Sequence, residues 1–407
     1  KYPYRACIGG DGTLYVTHKD GIAKFAQKDG WKEIAPPTQK GNFGGITVDP
    51  SDPGHVVAAF IQNKKDAPMF RSTDGGETWT QLKNELINTV PWWNPDVENH
   101  RLAHIFSLSF DPHYPKRVWA TDWYGVYRTD DISAETVKWT NLEKGHEEIV
   151  TLGTLEAPPE SKFRLYSSVA DVGGFDHEDI DRFPSKATFD RGYKWQTTTG
   201  IAWSRSDKDF LVRVGGLVWN KPGLGGAYTL DGGETWQLFP KNKLPYKDIS
   251  RGRVAIAGEG RRIIWTPQIG EPYFSDDLGG SWKKIDAPIN LQAVMPGNRV
   301  FSYEQPLAVD ISDCRRVYIY FKQQILRSDD AGDTWKIVCQ KSPESKIIFT
   351  SGLKDDVWIA GKGLFRSKDG GENWERLAEV SEARLACAGR NPPDKGHSAI
   401  FLCGSVG

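Results

Sequence analysis

Two aspartates stand where a carboxylate could do chemistry. Asp122 in "VWATDWYGVYR" and Asp171 in "LYSSVADVGGFDHED" each end an alternating apolar run and precede a turn. At such a corner a carboxylate can point into a cleft. Two carboxylates flanking a bound sugar are what glycoside hydrolysis needs: one protonates the leaving oxygen, and the other activates water or attacks the sugar. An aspartate at a strand end is equally an ordinary turn former, because its side chain accepts hydrogen bonds from nearby amides. His177, in the same stretch as Asp171, is a candidate auxiliary that orients a carboxylate or moves a proton. Trp92 and Trp93 in "NTVPWWNPDVENHR", with Trp123 and Tyr124 directly after Asp122, are candidate substrate-binding residues. Their ring faces suit the C–H faces of sugars, although the packing of a core uses the same rings.

Other chemistries find little support. His100 and His104 are spaced i, i+4 but lack the H-E-x-x-H pattern, and the five cysteines (7, 314, 339, 387 and 403) form no C-x-x-C pair or zinc spacing. No metal and no cofactor is expected. "GNFGGI" lacks the strand–turn–helix context of a dinucleotide site, and no G-x-S-x-G elbow or phosphate-binding P-loop occurs. A net charge of -1 and no basic run argue against a nucleic-acid partner. Mean hydropathy is -0.52, and no apolar stretch approaches the ~20 residues of a membrane span. No signal peptide is visible, and the chain starts at Lys1 without Met, as a mature or trimmed product would.

The elements that must position these residues are written in a repeat. "RSTDGGETW" (Arg71 to Trp79) returns as "TLDGGETW", "SDDLGGSW", "SDDAGDTW" and "SKDGGENW". Each copy follows a short alternating strand and its Trp opens another, so the phrase reads as the turn of a β-hairpin. Two further strand-like runs lie upstream of each, and four strands per unit is the content of a propeller blade. Two degenerate units fill the gap between the first and second copies, and they are the ones that hold Asp122 and Asp171. The expected fold is an all-β propeller of four-stranded blades in one domain, residues 1–407, with seven blades favoured and eight as the alternative. "RLACAGR" and "AIFLCG" read as a closing half blade. The phrase itself reads as scaffold. Asp and Ser/Thr satisfy turn amides, Gly permits φ > 0 and Trp supplies packing area, whereas each turn holds too few carboxylates for a calcium shell.

The phrase is the Asp-box, or bacterial neuraminidase repeat, shared by sialidases, sortilin-like receptors, photosystem assembly factors and some glycoside hydrolases. It therefore marks a fold and leaves function open. A more specific resemblance runs through the whole chain. "DGTLYVTHKDGIAKF", "FGGITVDPSDPG", "MFRSTDGGETW", "FSLSFDPHYPKRVWAT", "YSSVADVGGFDHEDI", "FLVRVGG" and "GRRIIWTPQIGEPYFSDDLGGSW" resemble, in order, the second half of glycoside hydrolase family 74 enzymes. That family comprises xyloglucan-active endoglucanases and reducing-end-specific oligoxyloglucan cellobiohydrolases. The resemblance implies inverting hydrolysis of a β-glucan such as xyloglucan, with two seven-bladed propellers facing each other across the cleft and one catalytic Asp from each. It makes Asp171 the general acid. It puts the general base in the first propeller, in a motif like R-T-D-I-G-G-A-Y-R-W. "ATDWYGVYR" around Asp122 resembles that motif but lies in the wrong propeller by order, so Asp122 is either a relocated base or a coincidence. The expected partners are an oligo- or polysaccharide substrate and a facing second propeller, with the chain as part of a longer enzyme. The expected location is secreted or periplasmic. Two other readings stay open at this point. One is a propeller lyase of uronic-acid glycans with His177 and Tyr124 as base and acid. The other is a non-catalytic glycan- or protein-binding Asp-box propeller. A sialidase is disfavoured because no F/Y-R-I-P segment occurs near the N-terminus.

Overall fold

The computed structural model describes residues 2–36, 41–61, 68–93, 102, 104–147, 149–184, 187–188, 197–216, 225–247, 249–295, 303–389 and 398–407. Apart from one short 3-10 turn (Lys241–Lys243), the regular elements among these residues are β-strands. They form nine sheets, numbered here in chain order, and the first eight have three to five strands. The ninth pairs Val380–Ala388 with Ile400–Val406, the half blade expected from the sequence. The third sheet gains a fifth strand, Lys83–Ile87, running parallel to Thr136–Asn141. The fourth has three strands among the described residues. Asp-boxes close the outer hairpins of sheets two, five, six, seven and eight.

The chain divides into two compact units, residues 1–148 and 149–407. Within each, successive sheets stack in the manner of propeller blades through shared apolar clusters. In the first unit, Tyr15 and Ile22 of sheet one pack with Phe43, Val56 and Phe70 of sheet two. Val57 and Met69 on the other face of sheet two meet Leu108, Phe110 and Trp139 of sheet three. In the second unit, sheets five to nine are joined pairwise in the same way. Alternating side chains give the inner sheets of each unit two apolar faces that pack on their neighbours within that unit.

The Asp-box turns repeat one hydrogen-bond set. In sheet two, the Ser72 hydroxyl donates to Asp74 Oδ1 at 2.8 Å and accepts the Gly76 amide at 2.7 Å. Thr78 donates its amide to Asp74 Oδ1 at 2.8 Å and its hydroxyl to Oδ2 at 2.5 Å. The same set recurs around Asp231, Asp277 and Asp330, and around Asp369 with the Asn373 side-chain amide in place of the second hydroxyl. Gly76 sits at φ +88°, and a Cβ there would lie 2.5 Å from Ile34 of the preceding sheet, so both backbone and space demand glycine. The turn is also a socket for the sheet before it. Lys24 donates to Gly75 O at 2.9 Å, Tyr166 to Gly232 O at 2.6 Å, Arg262 to Ala331 O at 3.3 Å and Arg327 to Gly370 O at 2.9 Å. Sheet three keeps a remnant of the pattern. Asp131 accepts the Ser133 amide at 2.9 Å, and Ile132 O receives Arg71 of sheet two at 2.7 Å. All five cysteines are free thiols.

The hydrogen bonds around Asp74, led by the Thr78 hydroxyl, hold its carboxyl at about 2. A folded-state value below the unfolded one, near about 4, gives stability that is present above that value and lost as pH falls toward about 2. Asp74→Asn is therefore expected to lower the thermal midpoint at pH 7, with the gap to the parent closing as pH drops through this window. Thermal unfolding at stepped pH checks this, and a gap of constant size across the window would exclude the linkage.

Candidate functional site

Each sheet has two edges, and antiparallel order sends its first-to-second and third-to-fourth turns to one of them. Asp-boxes lie there. The second-to-third connection lies at the other edge, and both candidate carboxylates sit on it. Asp122 follows Tyr114–Thr121 and precedes Val126–Thr129 in sheet three. Asp171 follows Leu165–Val169 and precedes Phe175–His177 in sheet four. The two thus occupy equivalent corners of consecutive sheets, Asp122 in the first unit and Asp171 in the second.

The corners differ in local geometry. Asp122 Oδ1 accepts the amides of Tyr124 and Gly125, each at 2.8 Å, and its own amide donates to Gly125 O at 3.1 Å. That is a self-closing Asx turn. The carboxylate also faces the Tyr127 phenol, whose ionisation is pushed up mainly by burial and further by Asp122. Trp123 is 66% exposed, with its ring 6.1 Å from that of Phe106, and Phe106 in turn stacks on His104 at 6.3 Å. This part of the first unit offers one open aromatic face, that of Trp123, against two half-buried rings. Tyr124 beside it is half-buried. Trp92 and Trp93 are only 5% and 3% exposed and pack on each other at 5.3 Å. Both indoles are enclosed, and residues 94–101 of their connection lie outside the described residues.

Asp171 has φ +65°, and the Val172 amide donates across it to Ala170 O at 2.7 Å. This is the positive-φ γ-turn, a rare and strained conformation for a residue with a side chain. Its surroundings impose it. The Ala170 amide is held by Val150 O at 2.9 Å. The Thr198 hydroxyl donates to Gly173 O, and the Thr188 amide to Gly174 O at 2.8 Å. A Cβ on Gly174 would lie 1.9 Å from Ser167 O, so this glycine lets the chain fold back onto its own strand. Further on, the Asp176 carboxylate forms an ion pair with Arg213, and their side chains are 0% and 1% exposed. Arg213 also donates to Thr188 Oγ1 at 2.7 Å and lies 4.5 Å over the ring of Trp236, the Asp-box tryptophan of sheet five. His177 is half-buried with its ring 5.8 Å from that of Phe175. Burial lowers its pKa below the usual value, with the nearby Arg213 acting in the same direction and Asp176 against it. Glu178 and Asp179 are exposed.

Sequence reasoning passed over Asp176, Arg213 and Thr198. Arg213 did carry a signal: a lone charge inside the apolar run "FLVRVGG" must be buried and paired. Among the described residues no group of three His, Cys, Asp or Glu side chains is arranged to hold a metal ion. Nor is any helix among the described residues long and apolar enough to cross a membrane.

Comparison with known proteins agrees with this architecture. The BNR/Asp-box repeat profile matches residues 70–81. A xyloglucanase from a Paenibacillus species is 25% identical over 99% of this chain and 43% of its own length. Xyloglucanase Xgh74A of Acetivibrio thermocellus is 26% identical over 99% of this chain and 51% of its own. The chain thus spans about half the length of these relatives. Among solved structures, a GH74 enzyme of Niastella koreensis superposes with a TM-score of 0.81 at 23% identity, over 99% of this chain and 59% of the other. A GH74 xyloglucanase of Xanthomonas campestris gives 0.82 at 23% identity with the same coverage. The two superpositions show the fold, a β-propeller, and over 99% of its length the chain is similar in sequence to about half of each xyloglucanase.

Proposed function

We propose that the chain is the propeller-bearing part of a glycoside hydrolase that cleaves a β-glucan of the xyloglucan type, with Asp171 as its general acid. The observation that carries this reading is the strained γ-turn at Asp171. A non-glycine residue held at positive φ by glycines, a threonine clamp and a buried ion pair is a side chain aimed at a cost. The "DVGGFDHED" segment around it is also where the family resemblance is most specific. Xyloglucan and the glycosidase reaction come from the full-length relatives, which are xyloglucanases. An inverting mechanism, a facing second propeller and an extracellular site of action follow the same resemblance. Asp122 enters as candidate base on topology, because it holds in sheet three the corner that Asp171 holds in sheet four. The exposed ring of Trp123, beside half-buried Phe106, suits sugar stacking in the first unit.

Hydrolysis of tamarind-type xyloglucan with product analysis tests the reading. Asp171→Ala is expected to lower kcat on the order of 10²–10⁴-fold, the usual contribution of a positioned acid. An unchanged rate would remove Asp171 from the chemistry. Asp122→Ala is expected to fall comparably if it is the base. Retained activity with a lowered melting temperature would leave it the corner former that its Asx bonds make it. The Asp176–Arg213 pair is read as support for the corner. Arg213→Met strands a buried carboxylate and should cost about 3–5 kcal/mol in chemical denaturation, most of it recovered when Asp176→Leu is added.

A further inference from the structure

Arg253 opens the inner strand of sheet six (Arg253–Ala257) and is 2% exposed. Its Nη1 donates to Thr199 O at 2.6 Å and to Gly252 O at 3.2 Å, and its Nη2 to Leu152 O at 3.3 Å. Leu152 belongs to the inner strand of sheet four, Thr151–Glu156, and Thr199 to that of sheet five, Thr197–Trp203. One guanidinium therefore joins the inner strands of three successive sheets of the second unit.

The two distant acceptors are not arbitrary carbonyls. The register of sheet five slips between Thr198 and Gly200, and that of sheet four slips between Thr151 and Leu155. Thr199 and Leu152 both fall in these irregular stretches, where the ladder does not set the offset between strands. The same stretches carry the Asp171 corner. Thr198, next to Thr199, clamps Gly173 O, and Val150, just before the strand of Leu152, holds the Ala170 amide.

Burial opposes the charge on Arg253 and draws its pKa down to about 10, with Glu304 acting against the shift. It still stays charged at neutral pH. Burying a charge costs free energy that its hydrogen bonds must offset. A planar fork with donors fixed in direction suits bridging two strands, and the single ammonium point of lysine does not.

We propose that Arg253 is a positioning residue for Asp171: by bridging the bulged stretches at Leu152 and Thr199 it sets the offset of the two strands that hold the γ-turn. The link from this role to catalysis rests on the reading of Asp171 as the general acid. The positioning itself does not, and the two parts are tested separately.

Amide hydrogen exchange on the whole chain tests the positioning and needs no turnover. In Arg253→Lys, the Ala170 and Val172 amides are expected to lose protection about tenfold, while the strands Ser345–Thr350 and Val357–Gly361 keep theirs. Unchanged protection at 170 and 172, or an equal loss in both regions, would overturn the proposal. Thr198→Val, which cuts the clamp without touching Arg253, should give the same local loss and serves if the arginine variant does not fold. Kinetics on xyloglucan tests the link to catalysis. The Arg253→Lys variant should lose about tenfold in kcat with KM within about twofold. On an aryl glycoside whose phenol leaves without protonation it should lose nothing, a selectivity that general loosening would not produce. If Asp171→Ala keeps full activity, the acid assignment fails while the exchange result still decides whether Arg253 holds the corner.

Discussion

The hydrogen bonds that close each Asp-box are what the rest of the fold depends on. One carboxylate accepts a preceding hydroxyl, an amide and a following hydroxyl, and two successive residues at positive φ let the chain turn tightly enough to supply them. This closes the outer hairpin of a sheet with its own side chains. It also leaves a carbonyl facing the sheet before, where Lys24, Tyr166, Arg262 and Arg327 each find an acceptor. Outer strands as short as Thr80–Gln81 could not hold an edge by ladder bonds alone, and the side-chain bonds of the turn make up the difference. Because the aspartate oxygens are spent on their own turn, the five conspicuous carboxylates are poor candidates for chemistry.

That division of labour leaves the opposite edge for function. The fourth sheet carries a strained residue at its corner, and the strain is borne by ordinary parts of the scaffold: a glycine against Ser167 O, a threonine from sheet five, and an ion pair lying over an Asp-box tryptophan. Trp236 belongs to the repeat, yet its ring underlies Arg213, which holds Asp176 in the strand leaving the corner. Scaffold and site are therefore one packing problem. The corner at Asp122 shows the alternative, where the carboxylate satisfies its own turn amides and stays close to the geometry any Asx turn adopts.

Much of this was legible in the sequence. The repeats announce the hairpins, alternation announces the strands, and the failures of the repeat point to sheets three and four. Asp122 and Asp171 read as equivalent corners, and their strand connections are equivalent. The signals that misled or went unread share a cause. Trp92 and Trp93 look like a platform because loop tryptophans often are, yet both rings are enclosed, and exposure is a property of neighbours that the local sequence does not list. "DDISAE" conceals an Asp-box remnant because Asp131 keeps its amide bond after the glycine and tryptophan of the phrase are gone. Arg213 was visible as an anomaly without a partner, since Asp176 lies on another sheet.

The sequence by itself determined the all-β class, the hairpin boundaries, the scaffold role of the Asp-box and the identity of the carboxylate most worth testing. These are local matters: period-two alternation, turn chemistry and glycines at positive φ act over a few residues and leave a direct trace in the order of the letters. The tertiary structure decided the γ-turn at Asp171, the burial of the Asp176–Arg213 pair and the bridging by Arg253 of Leu152 and Thr199. Each depends on strands far apart in the chain meeting at a particular offset, and that offset is set by bulges and buried charge whose partners no single stretch of sequence contains.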